Sequence, residues 1–420
     1  KFINDNDLQL IVPSDPISNK YTIGYDYYFH VCIRNISSNF LDIGLKILRP
    51  DNKNETLEWL PSKAPIFCSD DGENWYLLSN VRASNSHRNY KLSINVGPGK
   101  KVKISNNIPV HPTCVDRFMD KIQKRHSDKT ICHKIGNSVN NLPIKLLEID
   151  ESPEKKKDRF LIWAGIHPSE PDTIATFWII NWLLSNDPIA STAKKRFIFE
   201  IVPMINPDGF IIGTSGCNAN GINLFWDFRM NDPIKSPEST SLWKWIKKRT
   251  PNISIDLHAY IYQVNKKRRP YIGKINNYPR ELRKIAWSLN TELINLADGQ
   301  AVGGETVENK TSLGPQLINR FGTLTYPGYH FHFADGPEES KKFIIATIST
   351  IISHAGRHGL LSEIQISRSS NWDYTKLYWG LKELLFDKLP RRIKLYLEKF
   401  NIKMSGEAKG RLAIDSVEAW

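Results

Sequence analysis

Four side chains in this sequence have the types and settings that hydrolytic chemistry needs. His167 and Glu170 follow the apolar run FLIWAGI, His258 ends the run ISIDL, and Glu363 sits inside GLLSEIQI. Two imidazoles and one carboxylate make a three-ligand zinc site with a fourth position open to water. Zinc lowers the pKa of water from ~15.7 to about 7, so the water can attack an amide carbonyl at neutral pH. The attack also needs a group that takes the water's proton and passes it to the leaving nitrogen. Glu363, a lone carboxylate among apolar neighbours, suits that role. Asp256, two residues before His258, reads equally as a partner orienting an imidazole and as a residue of a strand-end turn. One HxxE or one strand-end histidine carries little by itself. The ordered set is what points to a single zinc ion per chain.

Such a set works only if distant parts of the chain meet. In open α/β sheets, ligands gather beyond the carboxyl ends of the strands. The runs IKLLEI, FLIWAGI, FIFEIVPMI, ISIDLHAY and LLSEIQI are short and almost continuously apolar, as strands buried on both faces are. Helical patterns lie between them. Val115, Phe118, Met119 and Ile122 recur at helical spacing, which predicts a helix capped by Thr113. Ile174, Phe177, Trp178 and Trp182 share a second helical face, Pro237 opens a helix after Ser236, and Leu377, Leu381, Leu384 and Leu385 mark another. Residues 1–108 read differently. Tyr90, Leu92, Ile94 and Val96 alternate with Lys91, Ser93 and Asn95, and turn signals such as Asp70-Asp71-Gly72 separate the strand-like runs. The expected organisation is an all-β sandwich over 1–108, an α/β domain over 109–404, and a polar tail over 405–420.

The formal net charge is +13, with clusters at Lys194-Lys195-Arg196, Lys247-Lys248-Arg249 and Lys266 to Arg269. No nucleic-acid-binding motif accompanies that charge, so no nucleic-acid partner is expected. The five cysteines, Cys32, Cys68, Cys114, Cys132 and Cys217, form no CxxC pair and no even framework. They read as reduced thiols, which makes the cytoplasm the expected location. No apolar run reaches the ~18–20 residues that a membrane span needs, so no membrane partner is expected either.

The ordered motifs resemble those of the zinc carboxypeptidase family, and within it the cytosolic carboxypeptidases. AGIHPSEP is similar to the family's HxxE zinc motif, VPMINPDGF to its Asn-Pro-Asp-Gly stretch, SIDLHAY to the third-ligand motif, and GLLSEIQI to the strand that carries the general base. The resemblance implies a carboxypeptidase-like mixed sheet flanked by helices behind the β-sandwich. It also implies that His167, Glu170 and His258 hold zinc and that Glu363 is the base. Two motifs depart from the pattern. The family's arginine before a cysteine is Gly216 before Cys217, and its Gly-x-Asp-x-Asn-Arg is Gly221-Ile222-Asn223-Leu224-Phe225-Trp226. Those arginines polarise the scissile carbonyl and clamp the terminal carboxylate. Losing one donor to a developing oxyanion costs ~2.7–4 kcal/mol, and leaving a buried carboxylate unpaired costs ~2–5 kcal/mol.

Either another cation has moved in or the substrate has no free carboxylate. Arg229, Arg268, Arg269 and Arg320 are the candidate cations, and Phe225 and Trp226 are candidates to line an apolar substrate pocket. His330 and His332 read as alternating strand residues, while Tyr326 and Tyr329 are candidates for a loop over the site. The expected activity is zinc-dependent hydrolysis of a peptide or small amide, an amidase of atypical specificity. One alternative is a carboxypeptidase that trims acidic C-termini through a relocated arginine. Another is a non-catalytic zinc-binding recognition module. Oligomeric state is not legible.

Overall fold

Nine short strands come first: β1 (Phe2–Asn4), β2 (Asp7–Ile11), β3 (His30–Arg34), β4 (Leu41–Leu48), β5 (Phe67–Ser69), β6 (Tyr76–Leu77), β7 (Arg82–Ala83), β8 (Asn89–Val96) and β9 (Lys101–Ser105). The computed structural model describes residues 2–357 apart from internal stretches, chiefly 12–14, 16–27, 49–65, 79–81, 84–88, 152–155, 229–234, 261–270, 273–277, 298–301, 304–311 and 333–336, together with Leu361. The strands form two sheets, ordered β1-β2-β4-β8-β7 and β3-β9-β5-β6. Along β8, Leu92, Ile94 and Val96 are buried while Ser93 and Asn95 are exposed, as the period-two pattern requires. These residues share one core with Ile43 and Leu45 of β4, Cys68 of β5, and Val102 and Ile104 of β9.

A helix, α1 (Pro112–Arg125), leads into the second half. Its cap is His111 rather than Thr113: the His111 Nδ1 accepts the Thr113 N–H at 3.3 Å. The reason lies in Pro112, whose fixed φ and missing N–H suit the first helical position and push the cap one residue back. Then follow β10 (Thr130–Asn137), β11 (Pro143–Ile149), β12 (Asp158–Trp163), α2 (Asp172–Leu183), α3 (Pro188–Arg196), β13 (Phe197–Val202), α4 (Pro207–Ile212), a 3-10 turn (Leu224–Trp226), α5 (Pro237–Lys248) and β14 (Ile253–Tyr260). After these come β15 (Tyr271–Ile272), α6 (Arg280–Leu296), β16 (Val302–Gly303), α7 (Leu313–Phe321), β17 (Leu324–His332) and α8 (Pro337–Ala355).

The main sheet is mixed, ordered β10-β11-β13-β12-β14-β17. β13, β12, β14 and β17 run parallel, and β10 and β11 are antiparallel to their neighbours. Leu161 and Trp163 of β12 pack with Leu242 and Ile246 of α5 and with Leu313 and Leu317 of α7. Ser236 caps α5 as expected, its Oγ accepting the Ser239 N–H at 3.2 Å. On α2 the buried face is Ala175, Thr176, Ile179, Ile180 and Leu183, whereas Ile174, Phe177, Trp178 and Trp182 are half-buried. This helix is apolar almost all round, so its periodicity cannot select a face. Phe177 nonetheless finds a partner in Phe118 of α1, with ring centroids 4.1 Å apart.

The chain leaves β12 toward β13 on one side and reaches β14 on the other. The point where strand order reverses therefore lies at the carboxyl end of β12, where open sheets place their ligands. Full burial of Phe160 and Trp163 anchors that strand, each contributing about 1.5–3 kcal/mol.

Candidate metal centre

Beyond Trp163 the chain turns sharply at Gly165, whose φ is +67°. A Cβ there would stand 2.7 Å from the Met204 Cα and 2.9 Å from the Thr173 Oγ1, so only glycine fits. The turn delivers His167 and, one tight turn later, Glu170, with the Glu170 N–H donating to the His167 carbonyl at 3.0 Å. His258 arrives from β14. All three side chains are buried, and their candidate ligand atoms lie within 4.8 Å of one another.

The His167 Nδ1 is 2.9 Å from the Glu170 Oε1, and the His258 Nδ1 is 2.9 Å from the Glu170 Oε2. The outer ring nitrogens face acceptors. The His167 Nε2 is 3.1 Å from the Asn223 Oδ1, and the His258 Nε2 is 3.3 Å from the Asp256 Oδ1. The Asn223 atom must be oxygen, because it also accepts the Phe225 N–H at 3.1 Å. Each Nε2 therefore carries the proton, and each Nδ1 directs a lone pair at a carboxylate oxygen. Two lone pairs set against one carboxylate repel unless positive charge sits among them. A divalent cation or two extra protons would supply it, and the donor set of two nitrogens and one carboxylate suits zinc.

Electrostatics at this site agree. Burial would push the Glu170 carboxyl up, but the His258 and His167 imidazoles and their hydrogen bonds hold it well below the usual range. Burial would push His258 down, but Asp256 and Glu170 raise it well above an ordinary histidine. Beneath the ligand turn, Asp172 is raised by burial and by nearby Glu170, while its oxygens accept the Gly165 N–H at 2.9 Å and the Thr173 N–H at 3.0 Å.

The Asn-Pro-Asp-Gly stretch has a structural role beside this centre. The Asn206 side chain caps α4 and donates to the carbonyls of Ile166 and Cys217 at 3.0 and 3.2 Å. Phe225 stands against both imidazoles, its ring centroid 5.3 Å from that of His258 and 6.2 Å from that of His167. Trp226 is one ring further back, edge-on to Phe225 at 4.6 Å. Asp256 lies within β14 and not in a strand-end turn, with its Oδ1 3.3 Å from the His258 Nε2. Arg320 lies 5.3 Å over the Trp243 ring, and its Nε donates to the Gln316 Oε1. Tyr326 is buried within β17, not on a loop, and His330 pairs in register with His258 along the neighbouring strand. Tyr329 also lies on β17. Glu363, Arg229, Arg268 and Arg269 lie outside the described residues, as do Leu377 to Leu385 and the tail from 405.

Sequence reasoning gave no role to four residues around the ligands. Asn223 was legible only as a replacement for an aspartate, and its contact with His167 spans 56 positions. Asp172, Asn107 and Asp15 belong to no motif that the sequence singles out.

Residues 115–293 match the zinc carboxypeptidase family model. Mouse cytosolic carboxypeptidase 6 is 29% identical over 222 residues, 48% of this chain and 41% of that protein. Its Caenorhabditis elegans counterpart is 24% identical over 281 residues, 63% of this chain and 60% of the other. The chain thus spans less than two thirds of the length of these relatives. Among solved structures, a Burkholderia cenocepacia metallo-carboxypeptidase aligns with a TM-score of 0.69 at 18% identity, over 85% of this chain and 95% of that one. A Pseudomonas aeruginosa metallo-carboxypeptidase aligns with a TM-score of 0.67 at 16% identity, over 84% and 94%. At such identity these two likenesses establish the fold, and the family match identifies residues 115–293 as a zinc carboxypeptidase domain.

Proposed function

We propose that the protein is a zinc-dependent peptide hydrolase of atypical specificity, which cleaves a peptide or small acyl-amide whose end next to the metal is uncharged. The observation that carries the reading is the orientation of His167 and His258, each with its outer nitrogen facing an acceptor and its inner nitrogen turned to Glu170. Bound zinc supplies Lewis acidity and an activated water. The chain's own residues do the rest. Asn223 and Asp256 fix the imidazole tautomers, Glu170 completes the ligand set, and Phe225 gives the centre an apolar wall. Glu363 is the proposed general base, assigned from its sequence context, and it moves the proton from water to the leaving nitrogen. The relatives named cytosolic favour a cytosolic location for this chain as well.

A second reading is favoured by the same relatives, which are carboxypeptidases. In it, Arg268, Arg269 or Arg229 replaces the missing clamp and acidic C-termini are trimmed. The test compares turnover of one peptide with a free C-terminus and of its C-terminal amide, after metal content is measured. Turnover of the amide supports the first reading, and turnover of the free acid alone supports the second. A Glu363→Gln variant is expected to lose at least about 100-fold in kcat. Zinc binding with no hydrolysis of either peptide, by parent or variant, would leave a recognition module instead.

A further inference from the structure

Three hydrogen bonds from outside bear on the backbone around the ligand turn, from Ile166 to Ser169. Its entry is tied by Asn206, which donates to the Ile166 carbonyl at 3.0 Å from within the α/β half. The other two contacts lead to the β-sandwich. The Asn107 Nδ2 donates to the Pro168 carbonyl, between the two ligands, at 3.2 Å. The Ser169 N–H donates to the Ser215 carbonyl at 3.3 Å. Ser215 is itself fixed from the sandwich side. Asp15 accepts the N–H groups of Ser215 and Gly216 at 2.6 and 2.7 Å, and the Tyr28 N–H donates to the Ser215 Oγ at 3.1 Å.

Asn107 is itself well anchored. Its N–H donates to the Ser105 Oγ at 3.3 Å, and that hydroxyl donates to the Phe29 carbonyl at 2.8 Å. The Asn107 side chain is fully buried, and its Oδ1 has no hydrogen-bond partner among the described residues. A buried amide that leaves one end unsatisfied is costly, and an apolar residue would fill the space without that cost. The bond to Pro168 is the compensating contact. Backbone at a metal site must hold its ligands to within about 0.5 Å of productive geometry.

We propose that Asn107 is a positioning residue of the metal centre, so that the β-sandwich completes the zinc site while contributing no ligand. Asp15 supports it through the Ser215–Gly216 backbone. The proposal rests on the metal-binding reading above, and the test separates the two. Cobalt(II) is used as the metal in the full chain, with affinity measured by chelator competition, geometry by the visible ligand-field spectrum, and folding by the melting midpoint of the metal-free form. The parent is expected to bind one cobalt ion. Asn107→Asp keeps the size but removes the donor, and it is expected to weaken cobalt binding at least about tenfold and to alter the spectrum. A folded variant with affinity within about twofold of the parent and an unchanged spectrum overturns the proposal, even if its metal-free midpoint falls. Where Asn107→Asp does not fold, Asn107→Ala, which removes the donor without adding charge, carries the same test with the same two outcomes. A parent that takes up no cobalt overturns the metal reading, and this proposal with it.

Discussion

The imidazoles of His167 and His258 differ in what their outer nitrogens face. The His258 Nε2 faces the carboxylate of Asp256 at 3.3 Å, and His167 donates to the amide oxygen of Asn223 at 3.1 Å. An outer carboxylate both orients an imidazole and makes it a stronger ligand, whereas an amide only orients it. Asn223→Asp is therefore expected to tighten zinc binding about tenfold, and Asn223→Ala to weaken it by roughly 10–100-fold. Chelator competition measures both, and equal affinity in all three proteins would remove Asn223 from the site. The same residues give the metal-free protein a pH dependence. His258 is raised in the fold, so the stability from its pairing is complete below about pH 6.5 and is lost as pH climbs through the raised value. Glu170 is depressed, so its share is present above about pH 4.3 and is lost in acid as pH falls through the depressed value. On the alkaline side, then, His258 sets the trend. The melting midpoint of the chelator-treated protein should fall between about pH 6 and pH 9 while that of the zinc-loaded protein holds. A gap between the two that stays constant over that range would contradict the assigned contacts.

Among elements, the turn after β12 bears most on function. Gly165→Ala forces a left-handed φ on a residue with a side chain and drives its Cβ toward the Met204 backbone. Strain of that kind costs about 1–3 kcal/mol. Chemical denaturation should show that loss, and metal affinity should fall with it because His167 is two residues away. A variant as stable as the parent would show that the turn relaxes freely. This element also shows what the sequence can and cannot disclose. β11, β12, β13 and β14 were legible because strands buried on both faces are continuous apolar runs, and their ends located His167, Glu170 and His258. β10 was not, because TICHKIGN interleaves polar residues on a strand at the sheet edge. The buried face of α2 was hidden by apolar residues on every side, and the α1 cap moved because of one proline. Asn107 and Asp15 were beyond reach for a different reason. Their contacts join residues 61 and 200 positions apart, and no local pattern encodes such a tether.

Over the whole molecule, the net charge of +13 invites a reading as a surface that attracts acidic chains. Two of its basic clusters have structural roles that weaken it. Lys194, Lys195 and Arg196 end α3, and Lys247 and Lys248 end α5 with Arg249 as its cap, positions where positive charge complements the helix dipole. Arg196 is paired with Asp158 at 3.1 Å, Arg249 lies 3.3 Å from Glu200, and Lys194 is buried. Charge engaged in this way steers little. A substrate uncharged at the metal-facing end also gains nothing from long-range attraction. For the proposed activity, kcat/KM should therefore change less than about threefold between roughly 20 and 200 mM salt, a range over which the Debye length shortens from about 20 Å to about 7 Å. Steered binding of a glutamate-rich tail would instead fall tenfold or more over that range, since such attraction raises association by ~10–10³-fold and is screened as salt rises. Parallel salt series on a neutral and a glutamate-rich peptide decide the matter. A steep fall confined to the acidic peptide would move the assignment from the uncharged substrate to the carboxypeptidase with a relocated arginine.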